Sequence, residues 1–188
     1  NFSSALVADK VFFNSHFHKN AFLGALPNFL KGFPDYNELD SIKKIKEKSE
    51  VLHLGMDLQK FDKYKCKANS KPLILWNHRW EYDKNPDLFF KILFKLNDNN
   101  IDFQLIVLGE KYRDYPKIFD IAKNKLKRKI IHFGYCDSHK QYIKYLKLAD
   151  ILPVTSNQDF FGISVVEAVS YGVYPILPKK LSYPEIFN

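Results

Sequence analysis

The feature that most constrains this chain is an alternation that begins near Lys71. Five short apolar runs, at 73–76, 103–108, 129–133, 150–155 and 174–177, are separated by segments whose apolar residues recur at helical spacing. In 86–96, Phe89, Ile92, Leu93 and Leu96 follow the helix-start signal Asn85-Pro86. In 115–126 the face is Ile118, Ala122 and Leu126, and in 139–149 it is Tyr142, Leu146 and Ala149. A fourth helix spans 162–171, with Gly172 as its stop signal. The runs are apolar throughout rather than every second residue, the mark of a parallel sheet covered on both faces. Right-handed crossovers then predict an α/β, Rossmann-like, doubly wound sheet. Ligands of such sheets bind outside the carboxyl ends of the strands. The segments to inspect therefore follow Trp76, Leu108, Phe133 and Thr155.

The first 60 residues read differently. Val11-Phe12-Phe13 is a short strand running into a helix start at Asn14-Ser15. Residues 21–30 are helical but broken by Pro27, 41–48 form a charged helix, and 51–54 is a second strand. Two short strands do not close a core alone, so residues 1–60 are expected to be the remnant of a preceding α/β domain, with exposed edges that make it unstable or prone to self-association. Residues 61–188 are then the Rossmann-like domain, entered through a linker at 55–70. The chain opens on Asn1 and reads as part of a longer protein.

Composition excludes several classes. Apolar residues are 46% of the 188, enough for a packed core and too many for disorder. No stretch has the roughly 18 uncharged apolar residues of a membrane span, and no secretory leader is visible. Cys66 and Cys136 are too far apart for a disulfide scaffold or a Cys-pair zinc site, and two lone thiols fit a reducing cytoplasm. The six histidines form no metal-binding spacing. Lys+Arg exceeds Asp+Glu by eight, which suits an anionic partner. The plainer reading is solubility, since lysines such as Lys43, Lys44, Lys46, Lys48, Lys123, Lys125, Lys127 and Lys129 fall on helix surfaces.

Two segments carry chemistry. Asp159-Phe160-Phe161-Gly162-Ile163 follows the fourth apolar run and opens a helix that contains Glu167. A helix start presents free amides and a positive dipole end, a ready anion site. Gly162 lets the backbone approach a ligand closely. Asp159 is either functional or a helix cap. Glu167 is either functional or a solvated residue, although Val165, Val166, Ala168 and Val169 are unusual neighbours for one. After the first run, Arg79 and Lys84 either clamp a diphosphate or are paired off by Glu81 and Asp83. Gly109 and Gly134, the latter followed by Tyr135, are turn glycines that also leave room for a base or sugar.

Taken together these segments resemble the nucleotide-sugar-dependent retaining glycosyltransferases of the GT-B fold, group 1 or family 4. Arg79 and Lys84 match the family's Arg-x4-Lys pair. Asp159 and Glu167 enclose Phe161-Gly162 as its acidic pair with seven residues between, with Asp in place of the usual first Glu. Val51-Leu52-His53-Leu54-Gly55-Met56-Asp57, with Phe61, is similar to the interdomain stretch, Leu54 replacing an Asn. Within the family, His78-Arg79-Trp80-Glu81, Glu167-Ala168-Val169, Tyr174-Pro175, Leu181-Ser182-Tyr183-Pro184-Glu185 and the start at 3–15 resemble the tRNA-queuosine α-mannosyltransferase group.

The resemblance implies a hexosyltransferase with GDP-mannose as donor, a tRNA acceptor, no metal and no other cofactor. Arg79 and Lys84 would neutralise the departing diphosphate, joined by the amides near Phe161, Gly162 and Ile163. Glu167 would hold ribose hydroxyls, Asp159 would contact the donor sugar, and Phe160, Gly109 and Tyr135 would line the donor site. Most of the family's N-terminal acceptor domain, with its pocket His, and the C-terminal helix that crosses back would lie outside this chain. The isolated chain is therefore expected to bind nucleotide but to transfer sugar poorly. Two other readings stand beside it: a transferase of the same fold acting on a lipid or polysaccharide, and a non-catalytic basic nucleic-acid-binding module.

Overall fold

A computed structural model describes residues 1–34, 36–57 and 69–187. The elements in chain order are α1 (Phe2–Val7), β1 (Val11–Phe13), α2 (His16–Lys31), α3 (Ser41–Glu47), β2 (Ser49–Val51), β3 (Leu73–Trp76), α4 (Pro86–Asp98), β4 (Gln104–Val107), α5 (Ile118–Lys125), β5 (Ile130–Phe133), α6 (His139–Leu148), β6 (Ile151–Pro153), α7 (Ile163–Ser170), β7 (Tyr174–Ile176) and α8 (Tyr183–Ile186). The chain divides into two compact units: 1–56 with 159–161 and 179–188, and 57–158 with 162–178. The expected boundary at 60/61 and most of the linker fall outside the described residues, as do Cys66 and Phe61.

In the first unit β1 and β2 pair in parallel, Val11 against Ser49 and Phe13 against Val51. Ala5, Leu26 and Ile45 form the buried centre. Two sequence expectations are corrected here, and α1 at 2–7 is a helix that the periodicity does not signal. The second strand lies at Ser49–Val51 rather than 51–54. Pro27 does not break α2, which runs unbroken over 16 residues. An interior proline removes one helical hydrogen bond, a cost of about 3 kcal/mol. Here Leu26 and Leu30 on its flanks are buried, so tertiary burial outweighs the local penalty. The first turn is also well held: Ser15 Oγ accepts from the His18 amide at 3.0 Å, and the Glu185 carboxylate accepts from the His16 and Phe17 amides at 2.8 and 3.2 Å. A carboxylate at a helix start satisfies orphan donors and opposes the dipole's positive end.

The second unit is the doubly wound sheet that the alternation predicts. Its strands are all parallel, in the order β5-β4-β3-β6-β7. All four residues of β3 are buried, as expected for a central strand covered on both faces. Trp76, Phe89, Phe90, Phe119 and Trp80 build an aromatic layer on one face, with Trp80 stacked on Phe119 at 4.2 Å and 4°. Burying each such side chain contributes about 1.5–3 kcal/mol. The chain order reverses between β3 and β6, which places the switch-point crevice at the carboxyl ends of those two strands.

Candidate functional site

Two loops meet at that switch point. The segment after β3 contains Asn77, His78, Arg79 and Lys84; the segment after β6 contains Thr155 to Gln158. They are laced together. Thr155 Oγ1 donates to the Lys84 and Asn85 carbonyls, the Asn157 amide donates to the Asp83 carbonyl at 2.7 Å, and Lys84 Nζ donates to the Gln158 carbonyl at 2.8 Å. Trp80 ties the first loop to the end of β4: its amide donates to the Glu110 carbonyl and its indole to the Leu108 carbonyl. Gly109 sits in this junction at φ +117°, and a Cβ there would lie 2.0 Å from the His78 carbonyl oxygen. The glycine is thus required by backbone approach alone.

The two cations differ in setting. Arg79 is 54% exposed and pairs with Glu81 at 3.1 Å; a hydrogen bond with the Tyr112 phenol holds its guanidinium above the ordinary value. Lys84 is only 12% exposed and pairs with Asp83 at 3.0 Å. The structure therefore contains the pairings with Glu81 and Asp83 that the plain reading foresaw. The Arg79 pair is exposed and contributes little to stability, so Arg79 remains open to a stronger anion.

The α7 start is capped by Gly162 at φ +85°. Asp159 is therefore not the helix cap. Its carboxylate accepts from the Phe161 amide at 3.3 Å and from the Tyr183 hydroxyl at 3.3 Å, within the first unit. Phe160 and Phe161 belong to the first unit as well: Ser15 Oγ donates to the Phe160 carbonyl, and the His18 ring stacks on Phe160 at 4.0 Å. Gly162, Ile163 and Glu167 belong to the second, with Ile163 half-exposed at the helix start.

Glu167 is not a solvated residue. The Tyr142 hydroxyl donates to its Oε2 at 2.8 Å, and both side chains are partly buried. Burial, with the Glu167 charge beside it, holds the Tyr142 phenol well above its usual range. Tyr142 also lines a cavity of about 300 Å³ together with Asn77, Gly109, Tyr135, Ser138 and His139. Tyr135 is 66% exposed at its mouth. The Asn77 amide is buried and donates to the Ser164 carbonyl at 2.6 Å, while its Oδ1 has no partner among the described residues. The cavity thus has a flat aromatic rim, an unsatisfied acceptor and a fixed carboxylate behind its wall, a suitable lining for a polar ring-bearing ligand.

The sequence reading placed Tyr142 in the packing and did not single out Asn77. Helical spacing puts Tyr142 on the buried face, and only the opposing helix reveals Glu167 across from it. No group of three or more His, Cys, Asp or Glu that could hold a metal occurs among the described residues. Cys136 is a free thiol on the cavity wall. No described helix is long and apolar enough to cross a membrane.

Comparison with known proteins agrees with this architecture. Residues 59–188 match the family model for glycosyl transferases group 1, and residues 1–56 match that for the tRNA-queuosine alpha-mannosyltransferase N-terminal region. The chain is 35% identical, over 98% of its length and 51% of the relative's, to the tRNA-queuosine alpha-mannosyltransferase of Drosophila melanogaster. It is 24% identical, over 68% of its length and 33% of the relative's, to a GDP-mannose:cellobiosyl-diphosphopolyprenol alpha-mannosyltransferase of Xanthomonas campestris. It thus spans about half, or less, of the length of these curated relatives. Among solved structures, a glycosyltransferase from Rickettsia africae superposes with a TM-score of 0.68 at 20% identity, over 96% of this chain and 47% of that one. At that identity the likeness speaks for the fold, which is that of the GT-B glycosyltransferases.

Proposed function

The chain belongs to the group 1 glycosyl transferases, and on that premise we propose that it forms the donor-nucleotide part of a retaining hexosyltransferase that moves mannose from GDP-mannose to a queuosine-bearing tRNA. The observation that carries the reading is the cavity at the carboxyl edge of the sheet, with the Glu167 carboxylate held behind its wall by Tyr142. On this reading the base lies in the cavity against Tyr135 and Gly109, and Glu167 accepts hydrogen bonds from the ribose hydroxyls. The diphosphate meets the start of α7 at Gly162 and Ile163, where helix amides and the positive dipole end face it. Arg79 and Lys84 neutralise the charge that develops as the nucleotide departs. This is electrostatic stabilisation of the leaving group, worth several kcal/mol when the donors are preorganised. The loop lacing around Lys84 supplies that preorganisation. These cations and the helix start would do the work of a metal ion. Attack from the face the nucleotide leaves gives retention without a carboxylate nucleophile, whose two-displacement route needs a carboxyl group beside the anomeric carbon. A tRNA acceptor fits a cytoplasmic reaction, the compartment that two widely spaced cysteines also suit.

The acceptor rests on the name of the Drosophila relative; the Xanthomonas relative favours a second reading in which the acceptor is a lipid-linked sugar. Calorimetric titration of the chain with GDP, UDP and GDP-mannose tests the donor. Saturable binding of GDP that is lost in an Arg79→Ala/Lys84→Ala variant is the expected result. Preferential binding of UDP would overturn the mannose-donor assignment, and full-length enzyme assayed with tRNA and with a polyprenol-linked acceptor separates the two readings.

A further inference from the structure

A parallel sheet gathers all its strand starts at one edge, and here that edge is basic. Lys71 precedes β3, Lys127, Arg128 and Lys129 precede β5, and Lys125 ends α5 beside them. These side chains line a groove of about 720 Å³ within the second unit. Five cations face two carboxylates, Asp98 and Asp102, an excess of three. The carboxylates orient rather than cancel them. Asp102 accepts from Lys71 at 2.9 Å and Lys129 at 3.4 Å, and Asp98 from Lys125 at 2.9 Å. Lys125 also lies over the Phe94 ring and Lys129 over Phe103, each at 4.8 Å. Lys127 and Arg128 are exposed and make no ion pair among the described residues. Some of this charge complements the negative end of α5, but that accounts for a last-turn lysine and not for the Lys127-Arg128-Lys129 run beyond it.

We propose that this groove binds the phosphate backbone of the RNA acceptor, at the edge of the sheet opposite the donor cavity. The inference rests on the tRNA reading above. Two observations favour RNA over a membrane surface. The groove is concave, and its apolar members Phe103 and Leu126 are 2% and 1% exposed, so it offers nothing to insert into a bilayer. Moreover, β5 is an edge strand that runs from the groove toward the donor edge. Its four residues span about 13 Å at ~3.3 Å each. A stem seated in the groove therefore lies about one strand length from the donor edge, where an unpaired nucleotide of RNA can be presented.

The test is the salt dependence of binding between the 188-residue chain and a fluorescently labelled tRNA transcript, compared with a Lys125→Ala/Lys127→Ala/Arg128→Ala variant. Three lost phosphate contacts should lower the slope of log K against log salt by about 2–3. Between about 50 and 200 mM salt the unaltered chain should then lose about forty-fold more affinity than the variant. A Lys127→Glu/Arg128→Glu variant, with both changes on exposed side chains, should weaken binding further. Unchanged GDP affinity would show that the donor site is intact. An identical slope in chain and variant would overturn the proposal. So would failure of the unaltered chain to bind tRNA at about 50 mM salt, or a loss in the variants confined to phosphatidylserine vesicles. GDP titration reports separately on the donor reading, so either can fail alone.

Discussion

The two units are built from the same kinds of element and held together in different ways. In the second, four βα repeats and a closing strand follow one another with short connections, and among the described residues twelve buried side chains form one cluster on the sheet and its helices. In the first, the described cluster has three buried members, with Phe13 and Leu30 buried beside them, while Phe12, Phe29, Phe33 and Tyr36 remain exposed. Segments from 159–161 and 179–188 complete it. The Ser15 hydroxyl, the Asp159 carboxylate and the Glu185 carboxylate make those long-range links. One unit is stabilised by apolar area encoded in adjacent stretches; the other depends on individual polar bonds between residues about 25 to 170 positions apart.

That contrast can be broken from the largest effect downward. Trp76→Ala should cost about 3–5 kcal/mol and unfold the second unit, seen as loss of the cooperative transition in denaturant. If the chain keeps its midpoint, the aromatic layer is not the source of stability. Gly109→Ala places a Cβ against the His78 carbonyl at a positive φ and should cost at least about 1–3 kcal/mol, with nucleotide binding falling alongside. Tyr142→Phe should weaken GDP binding about tenfold by releasing Glu167, the cost expected for a hydrogen bond to a charged group.

The same tyrosine makes a pH prediction. Its folded-state value is raised, so above about pH 10 the unfolded chain loses the phenol proton first. Stability should fall there by up to about 1.4 kcal/mol per pH unit, and Tyr142→Phe should remove that fall. In the first unit, Glu185→Gln should cost only about 0.5–2 kcal/mol. It should show as faster hydrogen exchange at the start of α2 and leave GDP affinity unchanged. A global loss of folding in that variant would mean the first unit is no less cooperative than the second.

These regions also differ in how far they are legible in the sequence. β3 through β7 lie where apolar runs place them, within two residues at either end. Burial on both faces leaves no polar position in the central strand β3, and the less buried strands β5 and β7 keep enough apolar residues for the run to be read. α2 departs from its local signal at Pro27 because the penalty there competes with Leu26 and Leu30, whose burial depends on other elements. β2 begins two residues early, at the buried Ser49, whose hydroxyl donates to the Ile45 carbonyl; a polar residue satisfied by the preceding helix gives no strand signal. The site divides in the same way. Arg79, Lys84, Gly162 and Glu167 stand at loop or helix positions that the motif spacing locates. Tyr142 and Asn77 carry no motif, since their contacts are to α7, 25 and 87 residues away.

The sequence by itself determined the winding of the sheet, the edge at which ligands meet it and the cations and carboxylate gathered there, because each depends on chain order and short-range periodicity. Only the tertiary structure decided that Glu167 is held by Tyr142, that Asp159 is bound by Tyr183 rather than capping α7, and that scattered lysines share one groove. Those outcomes turn on distances between residues far apart in the chain, and a side chain's environment is a property of whatever folds against it.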